Sequence, residues 1–184
     1  MVYPIYVYGQ PVLRKVAVEI EKNYPNLREF VENMFETMTK TDGIGLAAPQ
    51  VGESIRVFVT DGALLEEEDP DMKDFRKAYI NAKIVERSGE DVIMNEGCLS
   101  LPTLREDVTR KSTIRIQYYD ENFNYYDEVY DGMKARIIQH EYDHIDGKMF
   151  IDHLTPLRRR LIKRKLTQIS KGEVDISYKI KIVK

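Results

Sequence analysis

The sequence has one cysteine, Cys98, in 184 residues, so no disulfide can form within the chain. Long apolar runs are missing. None approaches the roughly 20 residues that a helix needs to cross a membrane, and no membrane partner is expected. The opening, MVYPIYVYGQ, has neither a basic n-region nor a long apolar h-region, so no signal peptide is expected and the cytoplasm is the expected compartment. There is no internal repeat and no low-complexity linker. The net charge is only -3, and no DNA partner is expected. With 42% hydrophobic and 32% charged residues, the chain has the make-up of a soluble globular protein rather than a disordered one. Its length fits one domain, 1–184.

Histidine is also scarce. There are three, and two of them fall four residues apart in QHEYDHIDG, residues 139–147. The surrounding pattern predicts a helix from about Met133 to Asp146. Residues four apart share a helix face, so His140 and His144 can bind one cation. Glu141 then stands next to the first ligand, placed to act as a base on the water that such a metal activates. HExxH also arises by chance in charged helices. Here Met133 and Ile137 lie on the histidine side, so that face points inward, and buried histidines flanking a glutamate need a partner.

A hydrolytic metal site takes three protein ligands and keeps one position open. The metzincin pattern HExxHxxGxxH fails, because its last position is Phe150. A downstream glutamate would have to be Glu173, in a charged tail after a helix stop. The remaining candidate is upstream, in NEGCLSLP, where Cys98 is either a small buried hydrophobe or a thiolate ligand.

GIGLAAPQVG, residues 43–52, is rich in small residues. The Lys-Ser/Thr of a phosphate loop is absent, and the stretch follows a helix instead of opening one. Gly43 and Gly45 would let the backbone approach a ligand. Gln50 would offer an amide donor suited to an oxyanion.

The rest of the chain supplies the frame. Leu27, Phe30, Val31, Met34, Phe35 and Met38 recur at helical spacing within 25–43, and Gly43 is a stop. Alternating Ile55, Val57 and Val59 predict a strand, as do YINAKIVERSG and the two halves of TIRIQYYDENFNYYDEVYDG. The acidic stretch 62–77 reads as a solvated loop, with at most a short helix at its end. A second helix is expected from Pro156 to Lys171. The alternating tail predicts a strand over 174–183. With no βαβ alternation the class is α+β: short, largely antiparallel strands packed around a central HExxH helix, plus an N-terminal helix and a C-terminal basic helix.

GIGLAAPQ, EGCLS and QHEYDH, in that order, resemble the three motifs of the peptide deformylase family, GφGφAAxQ, EGCLS and QHExDH. YGQPVLRKVA and DGMKARIIQHEYDHIDG extend the similarity over about residues 4–155. The resemblance implies removal of the formyl group from the N-terminal formylmethionine of new proteins. It implies Cys98, His140 and His144 as metal ligands and Glu141 as the catalytic acid/base, with Gln50 and the Leu99 backbone N–H as the oxyanion hole. It implies Fe(II) as the usual metal, with zinc, nickel or cobalt able to replace it. On that footing Ile44 and Gly45 border the bound peptide, Met133 and Ile137 form an apolar pocket for the methionine side chain, and Arg105 borders the groove. The acidic loop and the tail are the parts that fit the family pattern less well.

A HExxH zinc peptidase and a protein with a purely structural metal are the competing readings. The latter needs a fourth ligand, and only His153 is spare. Residues 157–171 carry seven Lys or Arg and no acidic residue. This predicts a one-signed basic face, with Leu157, Leu161, Ile162, Leu166 and Ile169 docking the helix on the body. Ribosomal RNA is the expected phosphate-rich partner of that face.

Overall fold

The computed structural model describes residues 1–182. Five strands form one antiparallel sheet in the order β2-β3-β4-β5-β6: β2 Gly45–Ala47, β3 Val57–Asp61, β4 Arg76–Cys98, β5 Leu101–Tyr119 and β6 Tyr125–Asp131. Helix α1 spans Leu27–Lys40 and α2 spans Gly132–Ile145. Residues alternate between the two faces of a strand, and β3 uses this to separate the helices. Val57 and Val59 pack with Val31, Met34 and Met38 of α1. Phe58, between them, packs with Ile138, Tyr142 and Ile145 of α2.

The same alternation holds in β4 until a bulge. Ala78 and Ile80 belong to the α1 side, whereas Ala82 and Ile84 belong to the α2 side. The register shifts between Ile80 and Lys83, and Asn81 takes a left-handed backbone, φ 52°. An extra residue at a bulge reverses which face the following side chains meet. Asn81 is held there by its side chain, which accepts from the Ile20 N–H at 2.9 Å and donates to the Ile20 carbonyl at 2.8 Å. Beyond the bulge, β4 and β5 form a long hairpin ending in the two-residue turn Leu99–Ser100.

Helix α2 lies among buried elements, and its end is well defined. Asp146 closes it and Gly147 follows with φ 70°, the left-handed position that glycine adopts without a Cβ penalty. A Cβ there would lie 2.8 Å from the Arg14 carbonyl oxygen. Arg56 donates to Asp146 at 2.9 Å, placing a cation at the negative end of the helix.

The α+β class and both long helices match the sequence reading, but four details differ. First, β4 has 23 residues and β5 has 19, far beyond the separate stretches expected, because bulges let one strand bend and continue past its polar residues. Second, the acidic stretch is folded back by two 3-10 turns, Ala63–Leu65 and Pro70–Met72, and anchored by fully buried Met72 and by Phe75.

Third, the basic helix is two helices, α3 Pro156–Leu161 and α4 Lys163–Ser170. They break at Ile162, whose ψ of -1° leaves the α-helical range. The break turns Leu157 and Leu161 into solvent, 69% and 65% exposed, so only Ile162, Leu166 and Ile169 of the expected stripe dock the segment. Fourth, the tail strand β7 is only Ile180–Lys181, paired in parallel with β1, Ile5–Tyr6. Its alternation is nonetheless real, since Val174, Ile176, Tyr178, Ile180 and Ile182 are all half-buried, while Asp175, Ser177, Lys179 and Lys181 between them are exposed. The last residue of the expected strand, 183, lies outside the described residues.

Candidate metal centre and active site

Four segments meet at the open end of the sheet. Helix α2 brings His140, Glu141 and His144. The end of β4 brings Cys98. Edge strand β2 brings Gly45, and the 3-10 turn Ala48–Val51 brings Gln50. One ligand atom each from Cys98, His140 and His144 lie within 4.8 Å of one another, close enough to share a single ion. Cys98 Sγ is 3.2 Å from His144 Nε2. Burial alone raises a thiol's pKa, but the two histidines outweigh it and lower Cys98 to about 5, so the thiolate that a metal requires is favoured.

The residues fit a metal on two further observations. His140 directs Nδ1 at Glu96 Oε2, 2.8 Å away. With Glu96 held below the usual carboxylate range, that nitrogen donates, and Nε2 is left as the electron-pair donor. Glu141 is buried, and its Oε2 has no partner among the described residues, so that oxygen can accept from a bound group. Its pKa is raised to about 7, mainly by burial and against the pull of the two histidines. A base poised near neutral pH suits proton transfer.

Gln50 is aimed by its own turn. Its side-chain oxygen accepts from the Ala47 N–H at 2.8 Å, which fixes the amide so that its NH2 points the other way. That NH2 donates to Ser100 Oγ at 3.2 Å and lies 3.5 Å from Cys98 Sγ. Gly45 also has a reason to be glycine within the protein itself. A Cβ there would lie 2.4 Å from Glu141 Oε1 and 2.7 Å from its Cδ and Cγ, so the close neighbour is the Glu141 side chain. At Gly43 a Cβ would meet Leu99 and Met38 at 3.1 and 3.2 Å.

A cavity of about 670 Å³ opens over these residues. Ile44, Gly45, Gln50, Cys98, Leu99, Arg105, Met133, Ile137, His140 and Glu141 all line it, and of the expected site residues only His144 sits behind its wall. Arg105 is turned along its own hairpin, donating to the Asn95 side chain at 2.8 Å and the Asn95 carbonyl at 2.9 Å.

Sequence reasoning missed the ionic layer behind the candidate ligands. Arg110 donates to Glu96 at 2.7 Å and to Asp143 at 2.7 Å. Arg136 donates to Glu96 at 2.8 Å, and His153 pairs with Asp143 at 2.7 Å. Two buried carboxylates thus face two buried guanidiniums, which is what makes the charges tolerable away from water. His153, read as spare, belongs to this layer. Two signals were available: Glu96 precedes Cys98 by two residues, the same face of a strand, and Arg136 precedes His140 by four, the same face of a helix. The cavity also takes Leu64 and Leu65 from the acidic segment and Ile176 and Tyr178 from the tail, a placement that no local pattern in either segment announces.

A thiolate and two helix-borne imidazoles, with a partnerless buried carboxylate beside them and an edge strand along the groove, have the make-up of a metallohydrolase acting on an extended peptide. Comparison with known proteins narrows this class. Residues 2–160 match the family model described as polypeptide deformylase. The chain is 49% identical over 188 aligned positions to a peptide deformylase of Christiangramia forsetii, with 98% of this chain and 96% of that protein covered. It is 50% identical to one of Flavobacterium johnsoniae over the same share of each. Among solved structures, a peptide deformylase of Thermotoga maritima superposes with a TM-score of 0.76 at 40% identity, covering 85% of this chain and 99% of that one. Arabidopsis thaliana peptide deformylase 1B, solved with an inhibitor, gives 0.81 at 33%, covering 92% and 91%.

The chain belongs to the polypeptide deformylase family. It is a metal-dependent hydrolase that removes the formyl group from N-terminal formylmethionine and releases formate. Among the described residues no helix is long and apolar enough to cross a membrane.

Proposed function

We propose the following division of labour for that reaction. Cys98, His140 and His144 hold one divalent metal. When bound, it supplies Lewis acidity and a nucleophile at neutral pH. Glu141 removes the proton from the attacking water and returns it to the leaving amine. The Gln50 NH2 and the Leu99 N–H donate to the oxygen of the formyl group as it gains charge. Ile44 and Gly45, on the open edge of β2, pair with the peptide backbone as an added strand would. Met133 and Ile137 receive the methionine side chain, and Arg105 borders the groove.

The observation that carries this reading is the partnerless Oε2 of buried Glu141, beside three ligand atoms within 4.8 Å of one another. A purely structural ion is disfavoured because His153, the remaining histidine, is committed to Asp143. Fe(II) is the metal we assign, on the family resemblance; the donor set would also accept zinc, nickel or cobalt. Purification without oxygen should yield iron and an activity lost in air, as both iron and Cys98 oxidise. Stoichiometric zinc with full activity, and no gain on adding iron, would contradict the assignment.

The cytoplasm, where such a substrate is made, is the proposed compartment, and nascent formylmethionyl chains are the proposed substrate. The ribosome contact is proposed through the basic segment, 157–171. Arg158 is engaged with Glu106 at 3.0 Å and Lys165 with the Thr103 carbonyl. Arg159, Arg160, Lys163 and Arg164 stay exposed and are the residues free to meet phosphates. Such binding weakens steeply with salt. Reversing these four charges to glutamate should abolish ribosome co-sedimentation and spare hydrolysis of a short formyl peptide. Unchanged pelleting at low salt would remove the proposal.

A further inference from the structure

The family match ends at residue 160, yet the tail beyond it reaches the reacting groups. After α4, residues 174–182 cross the body, and the end of this stretch is fixed to the first strand. The Ile5 N–H donates to the Lys179 carbonyl at 2.9 Å, and Ile180–Lys181 pair with Ile5–Tyr6. Ile180 and Ile182 pack against the Leu101, Leu104 and Val108 cluster. Just before this anchor, Tyr178 packs against the α1 side of the core, lines the catalytic cavity and donates its hydroxyl to the Leu99 carbonyl at 2.8 Å.

Leu99 and Ser100 form the two-residue turn between β4 and β5. Ser100 is held from two sides: its carbonyl accepts from the Tyr8 N–H at 2.8 Å and its hydroxyl accepts from Gln50. Cys98 is held against His144, with Sγ 3.2 Å from Nε2. Between these two fixed points, Tyr178 fixes the plane of the Leu99–Ser100 peptide. A turn this short has few soft dihedrals, so constraining that plane also constrains the direction of the preceding N–H, on Leu99.

We propose that Tyr178 is a positioning residue for deformylation: its hydroxyl, held on the Leu99 carbonyl by the anchored tail, orients the turn whose Leu99 N–H faces the formyl oxygen. The inference rests on the reading of Leu99 as an oxyanion donor. Replacing one hydroxyl leaves the ring and its packing, so Tyr178→Phe is the variant of choice. With formyl-Met-Ala as substrate, kcat should fall about tenfold, short of the roughly 10²–10³ that outright loss of a donor costs. KM, metal content and the pH profile should stay as in the parent, because the ring keeps its place in the cavity wall and neither the proposed ligands nor the proposed base is touched. A residue serving only to pack would show wild-type kcat as Phe, and that result overturns the proposal. A fall in kcat matched by loss of metal overturns it equally. An ester in place of the Cys98–Leu99 amide removes the Leu99 N–H itself and separates the two failures. If the ester leaves kcat unchanged, the oxyanion reading fails. If the ester lowers kcat and Tyr178→Phe does not, only the role of Tyr178 fails. If both lower it, Tyr178→Phe should add nothing in the ester background.

Discussion

Gly45→Ala tests the placement of Glu141, the proposed catalytic base, with the smallest change available. The added methyl would stand 2.4 Å from Glu141 Oε1 and 2.7 Å from two of its carbons. Ordinary contact begins at 3.4 Å, so the carboxylate must retreat by about 1 Å. A misplacement of that size costs about 10²-fold in rate. Glu141 is 4% exposed and on a helix flanked by buried Ile137, Ile138 and Ile145, so it cannot swing aside freely. The backbone of β2 is equally constrained by its pairing to β3. Overpacking of this kind costs about 1–3 kcal/mol of stability, which lowers the melting temperature without unfolding the protein at 25 °C. The ligands are untouched, so bound metal should stay at one per chain. The assay is formate release from formyl-Met-Ala with metal measured on the same sample. A variant that keeps its metal and more than a third of its kcat/KM would refute the idea that Gly45 is glycine to make room for Glu141.

Other perturbations separate the remaining roles. Glu141→Gln should retain metal and lose about 10²–10⁴ in kcat, the contribution typical of a positioned acid/base, and metal loss as complete as in His144→Ala would make Glu141 a ligand instead. Glu96→Gln should weaken metal binding by about 10–100-fold by loosening His140, read by competition with a chelator; unchanged affinity would show that His140 needs no orienting carboxylate. Asp143 is raised by burial but pulled down further by His153 and Arg110, from 3.8 to about 2. A carboxylate depressed on folding contributes stability above its unfolded pKa and loses it as pH falls through the folded one. The parent should therefore lose stability between about pH 4 and 2 more steeply than Asp143→Asn in acid titrations of the apo forms, and parallel curves would show that the Arg110 pair contributes little.

The parts of the molecule that repeat locally were readable in advance. The stripe Leu27, Val31, Met34, Phe35 and Met38, the alternation around Phe58 and the histidine pair on α2 each depend on spacing within one element, and each lies where that spacing puts it. What escaped depends on distant partners. Glu96 meets His140 across 44 residues and Arg110 meets Asp143 across 33, and neither pairing leaves a periodic trace. The length of β4 escaped because its second half, Glu86 to Asn95, is mostly exposed and carries no apolar face to recognise. The break at Ile162 escaped because Leu157, Leu161, Ile162, Leu166 and Ile169 fit one continuous helix on paper. Thr155 capping the Arg158 N–H at 3.3 Å and Arg158 clasping Glu106 instead fix a short first helix.

The central claim is that a single metal held by Cys98, His140 and His144 makes the chain a deformylase. Metal-free protein, prepared without oxygen and titrated with Fe(II), tests it directly. Formate release from formyl-Met-Ala should rise linearly and level off at one metal per chain, with acetyl-Met-Ala untouched. Cys98→Ser under the same titration should neither bind tightly nor turn over. Full activity in the metal-free protein, or a Cys98→Ser variant that binds and turns over like the parent, would contradict the account.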